Sequence, residues 1–243
     1  VHDRIFLNNA CIKGRMYHLL GKLRKSQSKG ARKLKKQWRR INQLNEELTR
    51  WIVRGIIDFA VKWSCTHIVC EFLNIQGKIR GSRKYRLKQW RKRGIYHHLC
   101  DQAHVWGMRV RQVCAWNTSR LAFDGSGRVQ RGADITGEDG SSLGYSYSWV
   151  RFSSGKLYHS DLNACYNIGA RYFTREMLKA LDVSPKSGHL ANVLGGSGGS
   201  AFTLSSLINL NTVLKEPSAF EVLVSDDATD DAVAAALAVV EGA

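Results

Sequence analysis

None of the six cysteines, at 11, 65, 70, 100, 114 and 165, forms a Cys-x-x-Cys pair. No run of about 18 consecutive apolar residues exists, so nothing reads as a bilayer-spanning helix. The opening residues, Val1-His2-Asp3-Arg4, show no signal-peptide pattern. They also lack an initiator Met, as expected of a fragment or a processed chain. His97, His98, His104 and His159 have no metal-ligand spacing, and His97-His98 reads as a polar helix face. No internal repeat is present. A chain of 243 residues has room for a real core, so a disulfide framework is not needed. Reduced, buried thiols in a cytoplasmic protein are the expectation. The length fits one to two domains.

Acids are scarce in the first half. Residues 1–120 hold 28 basic and 6 acidic side chains, a net +22, whereas 121–243 carry −5. A field so strong and localised steers a polyanion toward the first half, with salt-dependent affinity through counterion release. The pattern points to nucleic acid, with nucleoid association, and not to a membrane. A solvated basic face without a partner is the plain alternative.

Periodicity organises the chain. Residues 4–7 read as the end of a strand. Ile12, Met16, Leu19, Leu20 and Leu23 recur at helical spacing, and Gly30 breaks the pattern. A longer helix follows, with Leu34, Trp38, Ile41, Leu44, Leu48, Ile52, Ile56 and Phe59 on one stripe. Lys33, Lys36, Arg39 and Arg40 lie off that stripe, so 12–62 reads as a helical hairpin, apolar inside and basic outside. The apolar run His67–Leu73 reads as a strand buried on both faces. Residues 77–94 add Lys78, Arg80, Arg83, Lys84, Arg86, Arg91 and Arg93, with Tyr85 and Trp90 among them. These cations read as phosphate contacts, the aromatics as base-stacking faces or, for Trp90 with Leu87, Leu99, Ala103 and Trp106, as core. Residues 108–113 alternate as another strand. Residues 121–160 are rich in Gly and Ser, with β-like runs at 143–151, and Asp124 reads as a turn residue. A helix opens at Asp161, where an acid suits capping and the dipole. Beyond 182 come a Gly/Ser linker at 195–200, at most one short element at 201–215, and an acidic, Ala-rich tail at 225–243.

Glu71 interrupts its apolar strand, and a carboxylate there is costly unless paired or bound to metal. Asp161 lies 90 residues on. Two such acids permit a joint metal site without requiring one. Their setting is more informative: strand with Glu, helix, strand, irregular insert, then Asp on a helix. Carboxylate oxygens suit Mg²⁺ or Mn²⁺, and such ions serve phosphodiester chemistry.

Three stretches carry a resemblance. Ile68-Val-Cys-Glu71-Phe-Leu73 resembles the second RuvC motif of transposon-encoded TnpB (OrfB) proteins and the related compact type V CRISPR effectors. Val113-Cys-Ala-Trp-Asn-Thr-Ser119 resembles the segment leading into their zinc ribbon. His159-Ser-Asp161-Leu-Asn-Ala-Cys-Tyr-Asn-Ile-Gly-Ala-Arg171 resembles their third RuvC motif. The hairpin at 12–62 sits where that family inserts helices, and the resemblance spans roughly residues 4–175. It implies an α/β, RNase H-like (RuvC) mixed sheet, partial here, with strands 4–7, 67–73 and 108–114 in one sheet. It implies transposition-associated, metal-dependent DNA cleavage, with guide RNA and DNA as partners. Glu71 and Asp161 would be two of three catalytic, metal-binding carboxylates, with carboxyl groups within about 8 Å.

Two departures qualify that implication. The family's first motif, a strand bearing an Asp, has no counterpart here, and Asp3 is not a match, so this chain alone is expected to be weakly active or inactive. No Cys lies between Cys114 and Cys165, so a four-thiolate zinc site is excluded and a metal-free, ribbon-like insert is expected. The expected domains are a core at 1–120, the insert at 121–158, the final motif at 159–181, and linker plus tail at 182–243. The alternatives are an inactive DNA- or RNA-binding module of the same family, and an unrelated basic RNA-binding protein in which Glu71 and Asp161 do not converge.

Overall fold

The computed structural model describes residues 3–73, 92–137, 140–182 and 202–215, with positions 234, 235 and 238 near the C-terminus. Lys78, Arg80, Arg83, Lys84, Arg86, Arg91, Tyr85, Trp90, the linker at 195–200 and most of the tail lie outside the described residues. The chain divides into two units, Val1–Ile68 with Ile75–Val110 and Val69–Asn74 with Arg111–Ala243.

Unit 1 is built on the helical hairpin. Helix α1 (Ala10–Ser28) starts where the Asn9 side chain accepts from the Ile12 amide at 2.9 Å, satisfying a free first-turn donor. Gly30, at φ 82°, allows the reversal. Helix α2 (Lys35–Lys62) runs back. Ile12, Met16, Leu20 and Leu23 of α1 bury against Leu34, Ile41 and Leu44. Each such fully buried side chain contributes about 1.5–3 kcal/mol. The second half of α2 packs instead on helix α3 (Lys92–Val105), through Val53, Ile57, Ala60, Leu99 and Ala103. The buried row therefore runs Asn45, Thr49, Val53, Ile57, Ala60. Leu48, Ile52, Ile56 and Phe59, expected on that face, are only half-buried. Trp106, expected with the core beyond α3, is exposed.

Residues 4–7 do not form a strand, which corrects the expectation. A strand exists through its ladder, and none among the described residues pairs with this stretch. Leu7 instead covers Gly55 of α2, so closely that a Cβ at Gly55 would meet Leu7 Cδ2 at 2.7 Å.

Strand β1 (His67–Phe72) pairs with β2 (Arg109–Cys114) in a two-stranded sheet. The Thr66 carbonyl accepts from the Arg109 amide at 2.9 Å, and the Cys70 thiol donates to the Arg111 carbonyl at 3.5 Å. Contacts advance together along both strands, the sense of a parallel pair joined by a crossover helix. β1 is half-buried, with Phe72 exposed, and is not enclosed on both faces as its composition implied.

Unit 2 continues with a three-stranded antiparallel sheet of β3 (Gln130–Arg131), β4 (Trp149–Arg151) and β5 (Leu157–His159). Helix α4 (Ser160–Ala180) follows β5 directly, and α5 (Leu204–Lys215) packs on it. Phe202, Leu207, Leu210 and Leu214 bury against Ala170, Met177, Leu178 and Leu181. Residues 202–215 are thus part of the unit 2 core, more than the weak sequence there promised. No helix among the described residues is long and apolar enough to cross a membrane.

Candidate functional site

Helix α4 organises the site. Its first residue is Ser160, and the residue before it, His159, caps it by accepting the Asp161 amide on Nδ1 at 3.2 Å. Asp161 is therefore a first-turn acid and not the cap, which corrects the sequence reading. Its carboxylate is exposed and pairs with no side chain among the described residues. The positive end of the helix dipole favours an anion there.

One face of α4 carries Asn163, Asn167 and Arg171, four residues apart and buried. Buried polar side chains require partners, and here those partners are backbone groups of 114–123 and the Phe202 carbonyl. Asn163 accepts from the Phe123 amide at 2.9 Å and donates to the Leu121 carbonyl at 2.8 Å. Asn167 Nδ2 donates to the Thr118 carbonyl at 2.9 Å and the Leu121 carbonyl at 2.8 Å. Arg171 Nη1 donates to the carbonyls of Cys114 and Trp116, both at 2.7 Å, and its Nε to Phe202 at 3.2 Å. Burial lowers the Arg171 pKa, against the opposing influence of Cys114 and Glu71.

The gripped segment reaches back to β1. Thr118 is buried, and its hydroxyl donates to the Glu71 carboxylate. Glu71 is half-buried. Both acids act on one thiol: Cys165, one helical turn after Asp161, has its pKa raised by burial first, then by Asp161, then by Glu71. Solvent reaches Cys165, yet enough protein surrounds the sulfur for desolvation to dominate. The two carboxylates singled out in the sequence thus share one electrostatic neighbourhood within unit 2. Among the described residues no group of three or more His, Cys, Asp or Glu side chains forms a metal-ligating cluster.

The insert after Thr118 is closed by aromatic rings. Phe123 stands edge-to-face with Phe152, Tyr158 and Tyr166, centroids 5.3, 5.2 and 4.9 Å apart. The hydroxyls of Tyr158 and Tyr166 hydrogen-bond at 3.1 Å, and Lys156 lies over the Phe123 and Tyr158 rings. Asp124 makes the turn expected of it, accepting from the Ser126 amide at 3.0 Å. The cysteines differ from expectation: Cys11, Cys114 and Cys165 are exposed and the other three half-buried.

In unit 1, Lys33, Lys36, Arg39 and Arg40 are all exposed. Among the described residues the first three make no ion pair, and Arg40 bonds Gln43 at 3.3 Å. Arg93 lies in the first turn of α3, its side chain outside the described residues. Asp3 bonds Lys62 at 2.9 Å, which holds its carboxyl below the usual range and gives it a local role within unit 1. His98 faces Glu46 at 3.7 Å.

The sequence reading did not single out Thr118, Asn163, Asn167 and Arg171. The signal was present as a polar i, i+4 stripe at 163, 167 and 171 beside the apolar Leu162, Ile168, Ala170 and Phe173.

No family model matches the chain, and no curated protein matches it. Among the solved structures to which it is similar are two of one protein. One is C2c1 of Alicyclobacillus acidoterrestris in complex with single-guide RNA, 20% identical over 70% of this chain with a TM-score of 0.48. The other is the AacC2c1–sgRNA–extended non-target DNA ternary complex, 18% identical over 74% of this chain with a TM-score of 0.51. The chain spans 20% and 24% of the length of those two chains, so the likeness is one of fold over part of a larger molecule.

Proposed function

We propose that this chain is the nucleic-acid-binding and metal-binding part of a RuvC-like, RNA-guided DNA endonuclease of the transposon-associated TnpB type. The observation that carries the reading is geometric: Thr118 holds the Glu71 carboxylate, on a segment that Asn163, Asn167 and Arg171 bind to the helix bearing Asp161. The order of motifs and the fold shared with part of C2c1, seen with guide RNA and DNA, support it.

The donor set fits a hard divalent cation. Mg²⁺ commonly binds through one or two carboxylates and fills its shell with water and substrate phosphate. Burial and the two acids raise the Cys165 pKa, which disfavours the thiolate that softer metals select. When bound, the cation activates water and stabilises the leaving oxygen. Glu71 and Asp161 would hold it, and the Thr118 hydroxyl fixes the Glu71 carboxylate. In unit 1, the exposed cations of the hairpin, Lys33, Lys36, Arg39 and Arg40, would hold guide RNA or DNA by phosphate contact, with base pairing reading sequence. The cations at 78–93 are assigned the same role from sequence.

The test uses the uninterrupted reading frame that encodes this chain, purified with its RNA, on labelled DNA with Mg²⁺. Cleavage that Glu71→Ala abolishes is the expected result; cleavage unchanged in Glu71→Ala removes Glu71 from the site. A second reading is a module that holds nucleic acid without cutting, favoured by the lack of a third acidic or histidine ligand beside the pair among the described residues. It predicts salt-sensitive binding and no cleavage from any form.

A further inference from the structure

We infer that Thr118 and Asn167 together are a positioning device that sets Glu71 relative to Asp161. This rests on the metal-site reading above. Glu71 and Asp161 lie on separate elements, a strand and a helix, with no direct bond between them. What joins them is a chain of two hydrogen bonds, both ending on Thr118. Its hydroxyl donates to Glu71, and its carbonyl accepts from Asn167, six residues along α4 from Asp161.

Thr118 is 2% exposed, and Asn167 is fully buried. Neither has solvent as an alternative partner, so the linkage is not traded for water. The surrounding bonds restrict movement further. Asn163 and Asn167 both hold Leu121, and Arg171 holds Cys114 and Trp116, on either side of Thr118. The segment 114–123 is thereby fixed to the same helix that bears Asp161. A shift of that segment along α4 would carry the Thr118 hydroxyl, and with it one oxygen of Glu71. The bonded oxygen is committed to Thr118, which leaves the second oxygen as the better ligand for a cation. Outer partners of this kind orient metal ligands, and their loss typically weakens metal affinity about 10–100-fold.

Thr118 and Asn167 touch neither substrate nor cation in this assignment, so each acts through Glu71. The test is Mn²⁺ titration of this chain, followed by electron paramagnetic resonance of the free ion, with thermal melting as a check on folding. Glu71→Gln is the reference for loss of the site. Thr118→Val keeps the side-chain shape and removes the donor; Thr118→Ser keeps the donor. We expect Thr118→Val to weaken Mn²⁺ binding at least 10-fold and Thr118→Ser to stay within about 3-fold of the parent. In the Glu71→Gln background, Thr118→Val should change nothing more, which a general structural role would not produce.

Asn167→Leu should weaken Mn²⁺ binding by the same path. Should that variant fail to melt cooperatively, the Thr118 pair decides. Mn²⁺ binding that Glu71→Gln weakens but Thr118→Val leaves intact overturns the positioning role while leaving the metal reading standing. Equal losses from Thr118→Val in both backgrounds overturn it too, because they would show an effect independent of Glu71. No Mn²⁺ binding sensitive to Glu71 overturns the metal reading, and the positioning role with it.

Discussion

Cys165 reports on its two acidic neighbours. Burial, Asp161 and Glu71 all disfavour its thiolate, so its pKa is raised and the reactive fraction at neutral pH is small. Removing either negative charge lowers that pKa. Asp161→Asn and Glu71→Gln should therefore each speed alkylation of Cys165 at fixed pH, severalfold at most, while Cys11 stays unchanged. Peptide mass spectrometry over a time course reads both rates. An unchanged Cys165 rate in both variants would mean that the carboxylates do not share its surroundings. Arg171 invites a different test at the same scale. The residue is 3% exposed, and its guanidinium holds three backbone carbonyls. Arg171→Ala leaves them unsatisfied and should cost about 3 kcal/mol or more in urea unfolding. Arg171→Lys should not restore the parent value, because a single ammonium cannot reproduce the planar fork.

At the level of elements, α2 shows where periodicity reads well and where it stops. The hairpin, its turn at Gly30 and the burial of Ile41 and Leu44 followed from apolar spacing. Which face the second half buries did not, because an average period near 3.6 does not say from which side a neighbour approaches. α1 covers the first half and α3 the second, so the buried row follows i+4 steps from Asn45 to Ile57. Ile57→Ala should cost about 2–4 kcal/mol, and the half-buried Ile52 less, by thermal or urea unfolding. Helix α5 was faint in sequence for a related reason. Leu204, Leu207, Leu210 and Leu214 are spaced for one face, but Gly and Ser beside them suit a linker equally well. Its burial depends on α4, a neighbour distant in sequence. Leu210 is fully buried, and Leu210→Ala should cost about 2–5 kcal/mol.

The insert carries a related lesson. The lack of cysteines was plain, but what closes it was not. Phe123, Phe152, Tyr158 and Tyr166 meet only after the chain folds across some 40 residues. Glu71 and Asp161 stood out in the sequence because an acid in an apolar strand and an acid at a helix start both break local expectation. Thr118 broke none, and its bond to Glu71 is visible only in three dimensions.

For the whole molecule, charge and chemistry are divided. The hairpin presents exposed cations, and unit 2 holds the two carboxylates. Phosphate contacts release counterions, with a slope in log–log salt plots of about −0.9 per phosphate on duplex DNA. Replacing Lys33, Lys36, Arg39 and Arg40 together by Gln should flatten that slope by up to about 3 to 4 and leave Mn²⁺ affinity unchanged. Fluorescence anisotropy across a salt series measures the first. A slope unaffected by the four changes would move nucleic acid off the hairpin.

The central claim is that Glu71 and Asp161 hold one divalent cation. Anomalous scattering from a crystal of this chain grown with Mn²⁺ tests it most directly. The account predicts a peak bounded by the Glu71 and Asp161 carboxylates, with Thr118 still bonded to Glu71. Ordered Glu71 and Asp161 side chains with no peak between them, or a peak bound elsewhere, would contradict it.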